Sequence, residues 1–395
     1  MNKSILALAV ATTLAAPFVV QADTILYGSA RVSVDYLDEK ITAFERFNGI
    51  PAPESNWNVV NNDSRLGVLG SEELGGGLSA VYQYEFGVDV TEGGNFESNR
   101  PKFVGLKGGF GTLTIGTQET PYYHVAGIVD TFNTTKSFGA PAWLGGSFNG
   151  FFDTQLGIAE GRSTESLTRL ANSIYYTTPE FSGFSAEAML VLNGAFNSPA
   201  HSDGVDIWNL AAKYSNGPFF AGVSYIKSDG DSNTVLLDGD TLDLDMDQWV
   251  VGLGYNAGPF SVGLIYEAGY LNENGLLGSW TTTNNGQVRQ PYHPYLNSDK
   301  PQNWYLTASY SFGNNTLRAA YGQMDTGLNK FAATFNRGGP VDVINLDNKI
   351  DNYLVGYQYN FSKRTLVWAE YIGRGADTNF YGDSNAFSIG TRVDF

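Results

Sequence analysis

The residues of this chain best suited to chemistry are three histidines, a run of aspartates, and arginines that recur on one side of short alternating segments. His124, His201 and His293 are scattered, with no HExxH and no cysteine, so no transition-metal site is expected. Ser202 beside His201 is a neighbour in sequence, not a hydrolytic triad. The run DGDSNTVLLDGDTLDLDMD, residues 229–247, places Asp243, Asp245 and Asp247 on one strand face. Their oxygens could hold Ca²⁺ or Mg²⁺, but the spacing is not that of an EF-hand loop and its glycine and glutamate are missing. Neither GxxxxGK[ST] nor a strand–GxGxxG–helix is present, so nucleotides have no cradle and no cofactor is expected.

The arginines matter because of what surrounds them. In NNDSRLGVLGSEELGGGLSAVYQYEF, residues 61–86, Ala80, Tyr82, Tyr84 and Phe86 share one face, and Gln83 and Glu85 the other. Leu66 and Val68 likewise oppose Arg65. Residues 24–36 set Leu26, Ala30, Val32, Val34 and Tyr36 against Ser29, Arg31, Ser33 and Asp35. Period-two runs of this kind recur to the C-terminus, as in Tyr353, Val355, Tyr357 and Tyr359, whereas helical periodicity is almost absent.

Bulk properties narrow the class. Lys3, the apolar stretch ILALAVATTLAA and the small residues before Asp23 read as a secretory signal peptide, residues 1–22, leaving 23–395 as the folded chain. There is no cysteine, so stability has to come from burial or a closed sheet. Forty Asp+Glu against 23 Lys+Arg give a formal charge of −17, which argues against a nucleic-acid partner and favours attraction of cations. Tyr, Phe and Trp number 23, 25 and 7, yet no later segment approaches the ~18 apolar residues of a membrane helix.

Connections between the alternating runs come in two kinds that take turns along the chain. Short ones, at 74–77, 108–111, 179–183, 216–218, 257–259, 313–315 and 362–363, carry Gly, Asn and Pro as tight hairpins require. Long ones lie near 37–63, 91–99, 119–167, 193–205, 229–247, 271–301, 325–350 and 372–384. Together they connect sixteen strands, the arrangement of a transmembrane β-barrel with short periplasmic turns and long extracellular loops. Two soluble sandwiches would not keep that strict alternation, nor favour Tyr and Phe at strand ends, where an aromatic girdle wants them. The barrel reading turns Leu66, Val68, Tyr82 and Tyr84 to lipid. It turns Arg31, Arg65, Arg100, Arg169 and Arg318 inward, with Lys102 two residues along from Arg100. An arginine at mid-depth on the lipid side would cost about 2–4 kcal/mol.

Three segments carry a resemblance: SRLGVLGSEELGGGLSAVYQYEFG, RPKFVGLKGGFGTLTIGTQETPYY and RLANSIYYTTPEFSGFSAEA. With LYGSARVSVDY near the start and FSIGTRVDF ending on Phe395, they resemble the general bacterial porins of Gram-negative outer membranes. The resemblance implies a homotrimer of sixteen-stranded barrels whose third loop folds inward to constrict the pore. It also implies a basic ladder at the waist made of Arg65, Arg100 and Arg169, with Arg31 one pleat deeper than the usual first-strand position. Loop carboxylates would face that ladder. Asp130 and Asp153 are the favoured candidates, followed by Glu160 and Glu165. The turn KSFGAPAWLGG departs from the family's acidic PEFGG-like segment. The second loop, TEGGNFESN, would reach a neighbouring subunit, with Glu92 or Glu97 as latch residues.

The expected function is passive diffusion of small hydrophilic solutes and ions through a water-filled channel, in contact with outer-membrane lipid and lipopolysaccharide. The aspartate run reads as a solvated extracellular loop or one bridged by divalent ions to lipopolysaccharide. Basic and acidic walls at the waist would sustain a transverse field, since the gap is comparable with the ~8 Å screening length of physiological salt. Lining charge then sets ion preference, with mild cation preference expected. A solute-selective barrel for sugars or anions is the alternative, and a structural or adhesive barrel a third. A sugar track would need inward aromatics, for which Trp368, Phe132, Phe138, Trp143 and Phe148 are candidates, although packing of the loop against the wall explains them more simply.

Overall fold

A computed structural model describes residues 23–39, 55–94, 96, 100–132, 168–192, 204–228, 231–235, 241–243, 246–271, 295–298, 302–325, 328–333, 342–345, 349–376 and 384–395. The sheet runs through sixteen antiparallel strands. The first five are β1 (Asp23–Glu39), β2 (Asn56–Asn61 continuing as Arg65–Gly75), β3 (Leu78–Gly87), β4 (Lys102–Gly108) and β5 (Gly111–Glu119). Next come β6 (Arg169–Thr177), β7 (Phe184–Leu192), β8 (Val205–Asn216), β9 (Phe219–Ser228), β10 (Met246–Ala257) and β11 (Phe260–Leu271). The last are β12 (Gln302–Phe312), β13 (Asn315–Asp325), β14 (Lys349–Asn360), β15 (Thr365–Ala376) and β16 (Ser384–Asp394). Each strand pairs with its sequence neighbour. Closure comes from β1 against β16, in register from Ser29 opposite Asp394 to Glu39 opposite Ser384. Gly28 and Phe395 seal the seam by exchanging backbone hydrogen bonds of 3.0 and 3.1 Å. A closed sheet satisfies every strand edge, which is what lets strands cross lipid.

The seven short connections fall where the Gly, Asn and Pro clusters place them, and Gly75, Gly76 and Gly77 all take positive φ in the first. The first long connection is shorter than its composition suggests, because β2 begins at Asn56. Inside β2, Asn62, Asp63 and Ser64 lie across from only Ala30 and Arg31 of β1. This is a β-bulge, one extra residue on one strand, and Asp63 absorbs it at φ 61. Outside the barrel sheet, Asp231–Val235 pairs with Thr241–Asp243, and Leu328–Ala333 pairs with Tyr295–Ser298 on one side and Asp342–Asn345 on the other.

Outward side chains are mostly apolar and exposed, while many inward ones are polar and buried. Leu26 and Ile115 are 65% and 57% exposed, while Glu267 and Asn209 are 0%. Near the long loops, rings meet across strands in the pairs Tyr36–Trp57, Trp208–Tyr225, Trp249–Tyr266 and Trp304–Tyr321, with centroids 5.1–5.4 Å apart. Near the short turns a second row pairs Phe184–Tyr214, Phe219–Tyr255 and Phe260–Tyr310 at 4.4–5.3 Å. One sequence offset separates the rows in each strand: Trp208 from Tyr214, Tyr225 from Phe219, Trp249 from Tyr255, Tyr266 from Phe260, Trp304 from Tyr310. That offset is about 20 Å of extended chain. Two aromatic rows enclosing an apolar band are the girdles of an outer-membrane barrel.

Candidate pore constriction

The inward face of β1–β4 is a charged wall. Arg31 is buried, its Nε donating to Ser29 Oγ at 2.9 Å. Arg65 Nε lies 3.6 Å from Glu85 Oε2. Arg100 reaches two carboxylates, Asp63 at 3.2 Å and Glu85 at 3.6 Å. Tyr27 donates to Glu85 at 2.9 Å and accepts from Gln83 at 2.7 Å, which fixes the shared carboxylate. The bulge in β2 is what aims Asp63 at Arg100. Lys102, expected beside the ladder, faces the other way: it pairs in register with Tyr84, on the outward face, and its ammonium sits 4.8 Å from the Phe86 ring. Pro101 precedes it with its carbonyl bonded to Glu85 N–H, and from there the pleat alternates Lys102 outward and Phe103 inward.

The opposite wall, β7–β13, is covered by the root of the third loop. Thr120 caps a short helix α1 (Pro121–Ala126), its hydroxyl accepting from Tyr123 N–H at 3.0 Å, with Pro121 supplying the preset φ of a first turn. A 3₁₀ turn, Gly127–Val129, follows. Val125 and Ile128 seat against glycines of three strands. A Cβ on Gly222 would meet Val125 at 3.1 Å, and one on Gly254 would meet Ile128 at 2.8 Å. On Gly252 and Gly263 it would strike the loop's own carbonyls, Val125 O at 2.8 Å and Ile128 O at 2.6 Å. Around this socket Tyr122, Val125, Ala126 and Val129 join Ile226, Val250 and Ile265 in a buried apolar cluster inside the barrel.

Polar bonds fix the same segment. Tyr122 N–H donates to Asn209 at 2.8 Å, and its hydroxyl donates to Glu267 at 2.8 Å while accepting from Gln248 at 3.0 Å. Burial and the Glu267 carboxylate push that phenol well above its ordinary pKa. Further along, Arg318 donates to Thr131 O at 2.8 Å, pairs with Glu370 at 3.1 Å and stacks 5.3 Å from the Phe132 ring. Phe132 and Trp368, candidates for a sugar track, are both buried. Phe132 packs on Gly356 and Trp368 on Gly390, where the indole donates to Ser388 at 3.3 Å.

Asp130 ends the 3₁₀ turn and accepts from the Tyr123 hydroxyl at 2.8 Å. Burial raises its pKa to about 6, against the lowering effect of that hydrogen bond. Arg169 opens β6 opposite Glu119, its Nε buried and without a hydrogen-bond partner among the described residues. Between the charged wall and the loop root lies a cavity of about 360 Å³, lined among others by Arg65, Glu85, Arg100, Gln118, His124 and Tyr175.

Other sequence candidates scatter. Asp153, Glu160, Glu165, Phe138, Trp143, Phe148, Glu97, His201, His293 and the signal peptide 1–22 lie outside the described residues. Glu92 is exposed in the second loop. Asp243 sits in the small hairpin and Asp245 lies outside the description, while Asp247 belongs to β10 and accepts from Tyr225 at 2.8 Å. Among the described residues no three acidic or histidine groups are placed to hold a metal. The sequence points to third-loop carboxylates as the arginines' partners; among the described residues the partners of Arg65 and Arg100 are Asp63 and Glu85 of the wall. Glu85 was legible from its inward position. Asp63 was not, because nothing local announces the bulge. Apolar residues on both faces of WVVGLGY, 249–255, were the available sign that this wall is covered.

A closed barrel with two aromatic girdles, a charged inner wall and a loop root laid inside it defines an outer-membrane channel. The profile described as Gram-negative porin matches residues 7–375, and the chain belongs to that family. It is similar to the major outer membrane protein P.IB of Neisseria gonorrhoeae, 30% identical over 95% of this chain and 96% of that protein. In fold it is similar to an anion-selective porin from Comamonas acidovorans, with TM-score 0.66 and 20% identity over 95% of this chain and all of that one. It is also similar to OmpF of Salmonella typhi, solved with daunomycin, with TM-score 0.62 and 17% identity over 94% and 97%. The protein is therefore an outer-membrane porin, a channel through which small hydrophilic solutes and ions diffuse passively.

Proposed function

We propose that ion preference in this channel is set by a nearly compensated waist, in which Arg31, Arg65, Arg100 and Arg169 are offset by Asp63, Glu85 and Asp130, with Asp153 and Glu160 of the third loop added to them. The observation that carries this reading is the sharing of Glu85 by Arg65 and Arg100, with Asp63 as a second partner for Arg100. Paired charges leave a transverse field across the opening but little net charge along it, so discrimination is weak and the acidic chain tips it toward cations. The third loop, residues 119–167, narrows the pore, and its seating in the glycine socket supports that role.

The assembly is a homotrimer in contact with outer-membrane lipid and lipopolysaccharide, after export and removal of residues 1–22. Family membership and the broad apolar outer face support it. Burial of Phe132 and Trp368 removes two of the side chains a sugar track would need, which favours general diffusion. The test is single-channel recording of the unmodified protein in a planar bilayer under a KCl gradient. Large ohmic steps closing in threes, with a small reversal potential of cation sign, are expected. A strongly anionic reversal potential, or small steps blocked by one solute class, would overturn the reading.

A further inference from the structure

The third-loop root is held by the glycine socket on one side and by a charged contact on the other. His124 lies in α1 with its ring wedged between two strand carboxylates. Its Nδ1 is 2.9 Å from Glu187 of β7, and its Nε2 is 3.5 Å from Glu119 at the end of β5. Tyr175 of β6, the strand between them, brings its hydroxyl to 3.1 Å from Nδ1. Lys213 of β8 bonds the other oxygen of Glu187. Arg169 and Arg100 add positive potential near Glu119. On β9 and β10, which also pack on this helix, the facing positions are Gly222 and Gly252, which carry no charge. One imidazole thus spans three strands. A neutral ring has one N–H and can donate to just one of the two carboxylates, leaving Glu119 with the potential of Arg169 and Arg100, or Glu187 with Lys213, in place of the ion pair.

We propose that His124 is a positioning residue for the constriction: its protonated ring clasps the root of the third loop to the β5–β7 wall, and loss of the proton loosens that root so that closures become more frequent. The proposal rests on the reading that the third loop narrows the pore. Burial by itself would lower the imidazole's pKa, but the bonds to Glu119 and Glu187 outweigh it and raise the value from 6.5 to about 9. A raised pKa of this kind contributes stability that is complete below the unfolded value and is lost as pH rises through about 9. The ring is therefore charged throughout the neutral range.

The experiment is closure frequency in planar bilayers, at fixed voltage, as pH is raised from 7 to 10. For the unmodified protein, frequency is expected to stay flat to pH 8 and rise several-fold around pH 9. His124→Gln should show the high frequency already at pH 7 and lose the pH response. His124→Lys should stay quiet at pH 7 and move the rise upward, toward the ~10.4 of a free lysine. An unmodified channel that stays flat through pH 10, or a folded His124→Gln channel as quiet as its parent at pH 7, overturns the proposal. If His124→Gln does not fold, the unmodified and His124→Lys pH series decide it. Absence of ohmic steps from the unmodified protein at pH 7 would instead be a failure of the diffusion reading.

Discussion

The inner wall of β1–β4 and that of β9–β11 present the same pleat to the lumen, yet they are built from opposite materials. On the first, the inward positions carry Arg31, Arg65 and Glu85; on the second they carry Gly222, Gly252, Gly254 and Gly263. The difference follows from what each wall faces. The charged wall borders the cavity, where water and ion pairs keep arginines cheap, whereas burial of an unpaired charge costs several kcal/mol. The glycine wall is covered by the loop root, and absence of side chains there lets Val125 and Ile128 approach backbone to backbone. In the proposed reading, one wall does the selecting and the other holds the root of the loop that narrows the pore.

The sharpest way to break this division is to fill the socket. Gly252→Leu or Gly263→Leu sets a side chain against a loop carbonyl that has nowhere to retreat. Overpacking of that kind costs about 1–3 kcal/mol. Expected results are altered unit conductance and a lower temperature for loss of the heat-resistant barrel on gels. The same change at exposed Val251, on the other face of the strand, should do neither.

On the charged wall the expected effect is electrical and structurally quiet. Replacing Arg65 and Arg100 together by Ser removes two positive charges and should shift the reversal potential toward cations with barrel stability unchanged. Unchanged selectivity would mean that these arginines do not line the waist. Glu85→Gln tests the same wall from the other side. Among the described residues it leaves Arg65 without a carboxylate partner and Arg100 with Asp63, so the reversal potential should move toward anions, by less than the double replacement moves it the other way.

The smallest effect belongs to the end of the loop root. Asp130, with a pKa of about 6, is charged at pH 7 and largely neutral at pH 5. Cation preference should therefore fall modestly as pH drops through 6, and Asp130→Asn should remove that step. A step that survives the replacement would assign it to another carboxyl.

Much of this was legible without coordinates. Period-two alternation, hairpin residues at regular intervals and the two aromatic rows depend on chemistry local to each strand, so the sequence by itself determined the barrel, its strand count and which face meets lipid. The inward placing of Arg31, Arg65 and Arg100 followed from the same period. Lys102 did not, because Pro101 and its bond to Glu85 reset the pleat at the head of β4. Only the tertiary structure decided who partners whom. Asp63 meets Arg100 through a bulge defined by the register between β1 and β2. His124, dismissed as one of three scattered histidines, gains its partners from strands remote in sequence. The apolar core inside the barrel exists because a loop from one wall lies on glycines of another. Contacts of that kind depend on how far strands are staggered around a closed sheet, and no local pattern along the chain encodes the stagger.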